Sequence, residues 1–113
     1  MATRMETKIG AVIYTETIDG IAAEWVFGKN DQIEIGTGEG IRLSSRIMER
    51  RFEGQFEIIY RDSNGSESPK LNLDITFNNG CYTLIWSYNG KTTEKGIGIE
   101  KDGKLFASYT EVV

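Results

Sequence analysis

Apolar and polar residues alternate along most of this sequence, and the alternation is cleanest in KLNLDITF, residues 70–77. Successive side chains of a β-strand point to opposite faces, so a period of two separates the two kinds of residue. One face of this segment carries its four apolar residues, Leu71, Leu73, Ile75 and Phe77. CYTLIWSY at 81–88 repeats the pattern. The alternation predicts half-buried antiparallel strands rather than helices.

Short turn signals separate the alternating segments. Asn79-Gly80, Asn89-Gly90 and Asp102-Gly103 are dipeptides that accept the positive φ angles of two-residue hairpin turns. Each lies between two alternating segments, so the C-terminal part of the chain is predicted to form consecutive hairpins. Asp19-Gly20 and Asn64-Gly65 carry the same signal in the first part of the chain.

The first half of the chain supplies further segments of this kind. They are IGAVIYTET at 9–17, IAAEWVFG at 21–28, DQIEIGTGEG at 31–40 and FEGQFEIIY at 52–60. With the C-terminal hairpins they predict an all-β fold, a single antiparallel up-and-down meander barrel of about eight strands. The barrel is predicted to be one domain that spans residues 1–113, with residues 1–7 disordered.

Residues 41–51, IRLSSRIMERR, fit two structures. The alternation of apolar and polar residues favours a strand, while Ser44 or Ser45 could cap a short helical turn near residues 44–51. Because the flanking segments are strands, we favour the strand and keep the turn as the alternative.

Charge and composition narrow the partners and the location. The net charge is −4 and the isoelectric point about 4.9, so the chain is expected to repel the phosphates of nucleic acids. The sequence has no apolar run long enough to span a bilayer, and no membrane insertion is expected. The start MATRMETKIG lacks the apolar centre of a secretory signal, and the single Cys81 cannot form an internal disulfide. A cytoplasmic location is therefore expected.

The sequence contains no histidine. This removes the commonest general base and the commonest transition-metal ligand, and with them hydrolases that depend on a histidine base. The carboxylates form no recognisable acid–base motif, and Glu94 and Glu100 are expected on the solvent face. We therefore predict a non-enzymatic protein that has no catalytic residues, no metal site and no cofactor. An enzyme that uses tyrosines and carboxylates in the barrel mouth is the least favoured alternative.

Two Gly-x-Gly motifs, at residues 36–38 and 96–98, raise the question of nucleotide binding. A phosphate loop places its glycines between a strand and a helix N-terminus, and neither motif precedes a predicted helix. Glycines within strands instead mark bends and places where another group approaches the backbone closely. We predict that Gly96 and Gly98 either let the strand bend or let Trp86 pack close to it, and that they make room for a pocket if the barrel holds one.

Two groups of residues are candidates for binding. Aromatic residues on shared strand faces are predicted to line a ligand pocket, or simply to fill the core: Trp25, Phe27, Tyr82, Trp86 and Tyr88. Arginines at four-residue spacing form either a surface that binds anions or a solvated face interleaved with glutamates: Arg42, Arg46 and Arg50.

The C-terminal meander resembles the compact lipocalin-like and avidin-like barrels of calycin type. The successive strands YTLIWSYNG at 82–90 and GIGIEKDGKLFASY at 96–109 carry this resemblance. Such barrels bind small apolar or amphipathic molecules, so the resemblance implies this function for the present chain. The alternative is a non-enzymatic regulatory or assembly module that acts through protein–protein contacts, as a homodimer.

Overall fold

A computed structural model describes residues 8–112 of the 113-residue chain. These residues form a closed barrel of eight antiparallel strands, in which each strand pairs with its neighbours in sequence and β8 pairs with β1. The strands are β1 Lys8–Glu16, β2 Gly20–Lys29, β3 Gln32–Arg42, β4 Gly54–Asp62, β5 Leu71–Asn78, β6 Cys81–Tyr88, β7 Lys91–Lys101 and β8 Lys104–Glu111. The predicted all-β meander barrel is confirmed. The disorder expected for residues 1–7 concerns positions outside the described residues.

Tight turns join the last four strands, β5 to β8, where the sequence predicts them. Asn79, Asn89 and Asp102 have φ angles of 52°, 51° and 53°, in a region that Asn and Asp adopt more readily than other residues with a side chain. Each is followed by a glycine whose φ lies between 77° and 85°. Two successive residues with positive φ form the hairpin turn whose twist matches that of the strands.

Residues 43–53 depart from the strand pattern and cross one end of the barrel, which we term the closed end. β3 ends at Arg42, and among residues 8–112 the one helical element is a 3-10 turn at Met48–Arg50. The strand favoured for residues 41–51 is therefore wrong beyond Arg42. The alternative, a short helical turn near residues 44–51, is confirmed.

Arg42 provides a physical reason for this change of direction. Its guanidinium lies over the ring of Phe56, 4.6 Å from the ring centroid. It also donates hydrogen bonds to the backbone carbonyls of Arg51 and Glu53. A strand that continued in register beyond Arg42 would carry those carbonyls away from the guanidinium, so the chain folds back over the barrel end instead.

Phe52 plugs the closed end. Its side chain is fully buried, and its ring meets that of Tyr82 edge-on with the centroids 6.3 Å apart. The crossing segment is tied to β1, β5 and β7 by three polar contacts, Arg46 with Glu16, the Phe77 N–H with Glu53, and Arg51 with Glu100. Contacts on three separate strands hold the plug in place.

Side chains from six strands and from the crossing segment fill the middle of the barrel and its closed end. The buried hydrophobic residues are Val12, Tyr14, Ile21, Ala23, Phe52, Phe56, Ile58, Leu73, Ile75, Tyr82, Leu84, Trp86, Leu105 and Ala107. β3 and β7 contribute none of them. Their inward positions in this region hold glycines instead, Gly36, Gly38 and Gly40 on β3 and Gly96 and Gly98 on β7. In a ring of eight strands, β3 and β7 face each other across the interior.

The two indole rings pack against this bare backbone. A Cβ atom at Gly36 would lie 2.4 Å from the ring of Trp25, and a Cβ atom at Gly96 would lie 3.2 Å from the ring of Trp86. Glycine at these positions therefore lets each ring lie close to the neighbouring strand, Trp25 on β3 and Trp86 on β7. The predicted close packing of Trp86 on Gly96 is confirmed.

We expect Phe52→Ala to lower the free energy of unfolding by about 3–5 kcal/mol, because it leaves a cavity where a ring is fully buried. Urea unfolding followed by tryptophan fluorescence measures this loss. Met48→Ala is the control, since Met48 lies in the same segment but is 78% exposed. It is expected to change the stability by less than about 0.5 kcal/mol. Equal losses in the two variants would show that Phe52 does not hold the closed end.

Candidate functional site

A cavity of about 330 Å³ lies at the end of the barrel opposite Phe52. We term it the open-end pocket. Inward-facing residues near the ends of the strands line it, together with residues 66–68 of the connection between β4 and β5. Its volume falls within the range of about 300–1,000 Å³ that is typical of small-molecule sites. The barrel is thus filled at one end and hollow at the other.

Aromatic rings form much of the pocket wall. The aromatic lining residues are Trp25, Phe27, Tyr60, Trp86 and Tyr109. Phe27 and Tyr109 stack with their centroids 6.0 Å apart and an angle of 16° between the ring planes. Tyr109 also lies 5.5 Å from Trp86, centroid to centroid. The three rings therefore make one continuous apolar surface inside the mouth.

Gly10 allows Tyr109 to lie flat along this wall. The two residues are opposite each other in the β1–β8 pair, and a Cβ atom at Gly10 would lie 2.2 Å from Cζ of the tyrosine ring. The ring crosses β1, and its hydroxyl donates a hydrogen bond to the carbonyl of Val26 on β2, 3.3 Å away. With any side chain at position 10 the ring would have to swing into the cavity.

A hydrogen-bonded cluster lies at the base of the pocket. The Tyr60 hydroxyl accepts a hydrogen bond from Nε1 of Trp86 at 2.6 Å, and it lies 2.6 Å from the Tyr14 hydroxyl. Burial raises the pKa of both tyrosines, so both hydroxyls stay protonated at neutral pH. The cluster is uncharged.

Counting hydrogens assigns the direction of the bond between the two tyrosines. The two hydroxyls share one hydrogen bond and cannot both donate to each other, so one hydroxyl hydrogen has no partner within the cluster. Tyr14 is fully buried, and a stranded donor there would cost about 1–3 kcal/mol. The arrangement of lower cost has Tyr14 donating to Tyr60, which lines the pocket and keeps the hydrogen without a partner in the cluster. The pocket thus offers one hydrogen-bond donor at its base.

Acidic side chains surround the mouth. The carboxylates that line the pocket are Glu34, Asp62, Glu67, Glu94 and Glu111, and the described lining includes no lysine or arginine. Burial raises the pKa of Tyr109, and the negative charges of Glu94 and Glu34 raise it further. The open-end pocket therefore combines apolar walls with a negatively charged entrance.

The structure brings together three of the five aromatic residues proposed from the sequence. Trp25, Phe27 and Trp86 line the pocket. Tyr82 faces inward at the closed end, where its hydroxyl donates to Glu100 at 2.9 Å and burial with this bond raises its pKa to about 12. Tyr88 follows a bulge after Trp86 and is exposed.

The alternation of inward and outward positions also identifies two further lining residues, Tyr109 and Glu94. Tyr109 follows Leu105 and Ala107 at alternate positions, so it shares their inward face. Glu94 likewise shares the face of Gly96, opposite Trp86. The expectation that Glu94 and Glu100 lie on the solvent face is wrong. Both alternate with Gly96 and Gly98 along β7, so they share the inward face of those glycines.

The three arginines lie at the closed end, away from the pocket. Arg46 donates two hydrogen bonds to Glu16, which hold the pKa of that carboxyl below its usual value. Arg50 pairs with Glu53 at 3.4 Å. Since Arg42 is bound to backbone carbonyls, each arginine has a partner within the chain.

Comparisons with protein families, curated proteins and solved structures find no match to this chain. Within residues 8–112 no helix is both long and apolar enough to cross a lipid bilayer. The function is therefore inferred from the residues that line the pocket.

We expect Tyr60→Phe to lower the free energy of unfolding by about 1–3 kcal/mol, because Trp86 and Tyr14 lose the acceptor that they share. Chemical denaturation measures the loss, and Tyr88→Phe, at an exposed hydroxyl, is the matched control. Tyr14→Phe should cost less in the Tyr60→Phe background than on its own. Independent, additive losses would contradict the hydrogen-bonded cluster.

Proposed function

We propose that this protein binds a small apolar or amphipathic molecule in the open-end pocket. The observation that carries this proposal is the pocket itself, a cavity of about 330 Å³ with aromatic walls in a barrel whose other end is filled. Apolar walls with a few convergent polar groups are typical of small-molecule sites.

The chemistry of the pocket fits an amphipathic ligand. The stacked Phe27 and Tyr109 and the nearby Trp86 offer flat surfaces to an apolar body. The Tyr60 hydroxyl offers a donor to an acceptor atom at the base. A ligand with an apolar body and one polar end satisfies both.

The lipocalin-like and avidin-like resemblance remains part of this proposal. It is supported by an eight-stranded up-and-down barrel with its pocket at one end, since barrels of this size have room for one small ligand. The proposed role is binding rather than catalysis.

A second candidate function is assembly into a homodimer through the outside of the barrel. A shallow concavity on the outside of the barrel is lined by apolar side chains of β2, β7 and β8 that we term the outer apolar face, Val26, Ile97, Ile99 and Phe106. These side chains are between 38% and 68% exposed. Large contiguous apolar patches are uncommon on monomeric proteins, which favours contact with a second copy.

Ligand binding is expected to change tryptophan fluorescence, because Trp25 and Trp86 both line the pocket. Phe27→Ala should weaken binding of any ligand found by about tenfold, since it removes a ring from the wall. Phe106→Ala is the matched control, because Phe106 is on the outer apolar face. Equal affinity in the two variants, or a flat screen of apolar and amphipathic compounds by fluorescence and thermal shift, would contradict the proposed site.

For the second function, size-exclusion chromatography with light scattering should give the mass of a dimer. The double variant Ile97→Glu/Ile99→Glu should give the mass of a monomer, because burying two carboxylates in an apolar interface is strongly unfavourable. Ile18→Glu is the control, at an isoleucine that is 99% exposed in the turn between β1 and β2. A monomer for the unmodified protein would rule out this assembly.

A further inference from the structure

The aromatic pocket carries more negative charge than its neighbours neutralise. Glu67 pairs with Arg61 at 2.7 Å, and Glu111 pairs with Lys8 at 3.1 Å. These pairs account for two of the five carboxylates that line the cavity. The other three form no ion pair with any residue from 8 to 112.

The three remaining carboxylates are Glu34, Glu94 and Asp62. Neither Glu34 nor Glu94 forms an ion pair with a residue of the described chain. Asp62 accepts hydrogen bonds from the backbone N–H groups of Asn64 and Ser66, which satisfy its oxygen but leave its charge in place. The described residues at the entrance therefore carry a net negative charge.

The position of this charge matters because it lies beside apolar walls. Glu94 is half-buried and follows Thr93, whose hydroxyl donates to it at 2.6 Å. Glu34 and Glu94 lie on β3 and β7, on opposite sides of the pocket mouth. Charges of one sign in a cleft with walls of low dielectric constant focus the field and attract counter-charged molecules.

The aromatic walls of the pocket also favour a positively charged ligand. The faces of Trp, Tyr and Phe rings are electron-rich and attract cations, most strongly when the cation loses its water. Such rings line the cavity beside the carboxylates, since Phe27 pairs with Glu34 and Trp86 pairs with Glu94 across neighbouring strands. A cation that enters the pocket would meet carboxylates at the mouth and ring faces along the wall.

The arrangement suits an organic cation rather than a metal ion. Among the described residues, no three acidic or other metal-ligating side chains come close enough to hold a metal. The carboxylates are distributed around the mouth and the rings lie along the wall. This arrangement suits a positive charge that is distributed over a bulky ammonium group.

We propose that the open-end pocket selects organic cations, molecules whose ammonium group sits between Glu34 and Glu94 and whose apolar body lies against the aromatic wall. This inference rests on the proposed function, since it names the class of molecule that the pocket takes. It also excludes anionic amphiphiles such as fatty acids, whose carboxylate would meet like charge at the mouth.

Three probes of matched shape test the inference on the full chain. They are phenyltrimethylammonium, its neutral carbon isostere tert-butylbenzene, and the anion 4-tert-butylbenzoate. Tryptophan fluorescence and calorimetric titration measure the affinities. We expect the cation to bind about tenfold more tightly than the neutral isostere, and the anion to bind most weakly. Raising the salt concentration should weaken binding of the cation alone.

Isosteric neutral substitutions test the two glutamates. The double variant Glu34→Gln/Glu94→Gln should bind the cation about tenfold more weakly and the neutral isostere unchanged, which also shows that the pocket is intact. The matched control Glu24→Gln/Glu49→Gln removes two exposed carboxylates from outside the pocket and should change neither affinity.

Each outcome separates this inference from the proposed function. Equal affinity for the cation and the neutral isostere, or tighter binding of the anion, would overturn the preference for cations and leave a small-molecule pocket standing. Cation binding that is insensitive to the two glutamates would overturn the assigned position. Failure of all three probes to bind would overturn both proposals.

Discussion

The barrel depends on the packing of aromatic rings against strands that have no side chains at the point of contact. Three such contacts surround the pocket, Trp25 on Gly36, Trp86 on Gly96 and Tyr109 on Gly10. A Cβ atom at Gly10 or Gly36 would overlap the ring, and one at Gly96 would press on it. Because the rings lie against backbone, the eight-stranded barrel has an interior that is filled in its middle and hollow at its mouth. The glycines that look like part of a phosphate loop are thus elements of packing.

The two ends of the barrel differ in whether their charged side chains have partners within the described chain. At the closed end the arginines meet carboxylates and backbone carbonyls of the same chain, as Arg46 does with Glu16 and Arg42 does with the carbonyl of Glu53. At the open end Glu34 and Glu94 have no such partner within the described chain. The arginine-rich segment therefore seals one end, and carboxylates without a cationic partner in the described chain line the other. This asymmetry gives the pocket its chemical character.

The strands and hairpin turns were predictable because their signals act over a few residues, as in the alternation at 70–77 and at Asn79-Gly80. The path of residues 43–53 was not predictable from local signals, because it depends on hydrogen bonds from Arg42 to carbonyls nine and eleven residues further along the chain. For the site, alternation identified the inward face of Trp86 and of Tyr82 alike, yet only Trp86 lines the pocket. Period-two patterns give the face of a residue but not its depth along the barrel axis. Depth depends on the register between strands, which long-range pairing determines.

One further consequence comes from the pairing of β1 with β8. β1 begins and β8 ends at the open end, where Lys8 and Glu111 form an ion pair. The chain therefore enters and leaves the barrel beside the pocket mouth. A fluorescent reporter attached next to Val112 would sit close to a bound molecule, whereas one placed in the turn at Asp102-Gly103 would sit at the far end of the barrel. The fold thereby offers a sensing position and a matched reference position in the same molecule.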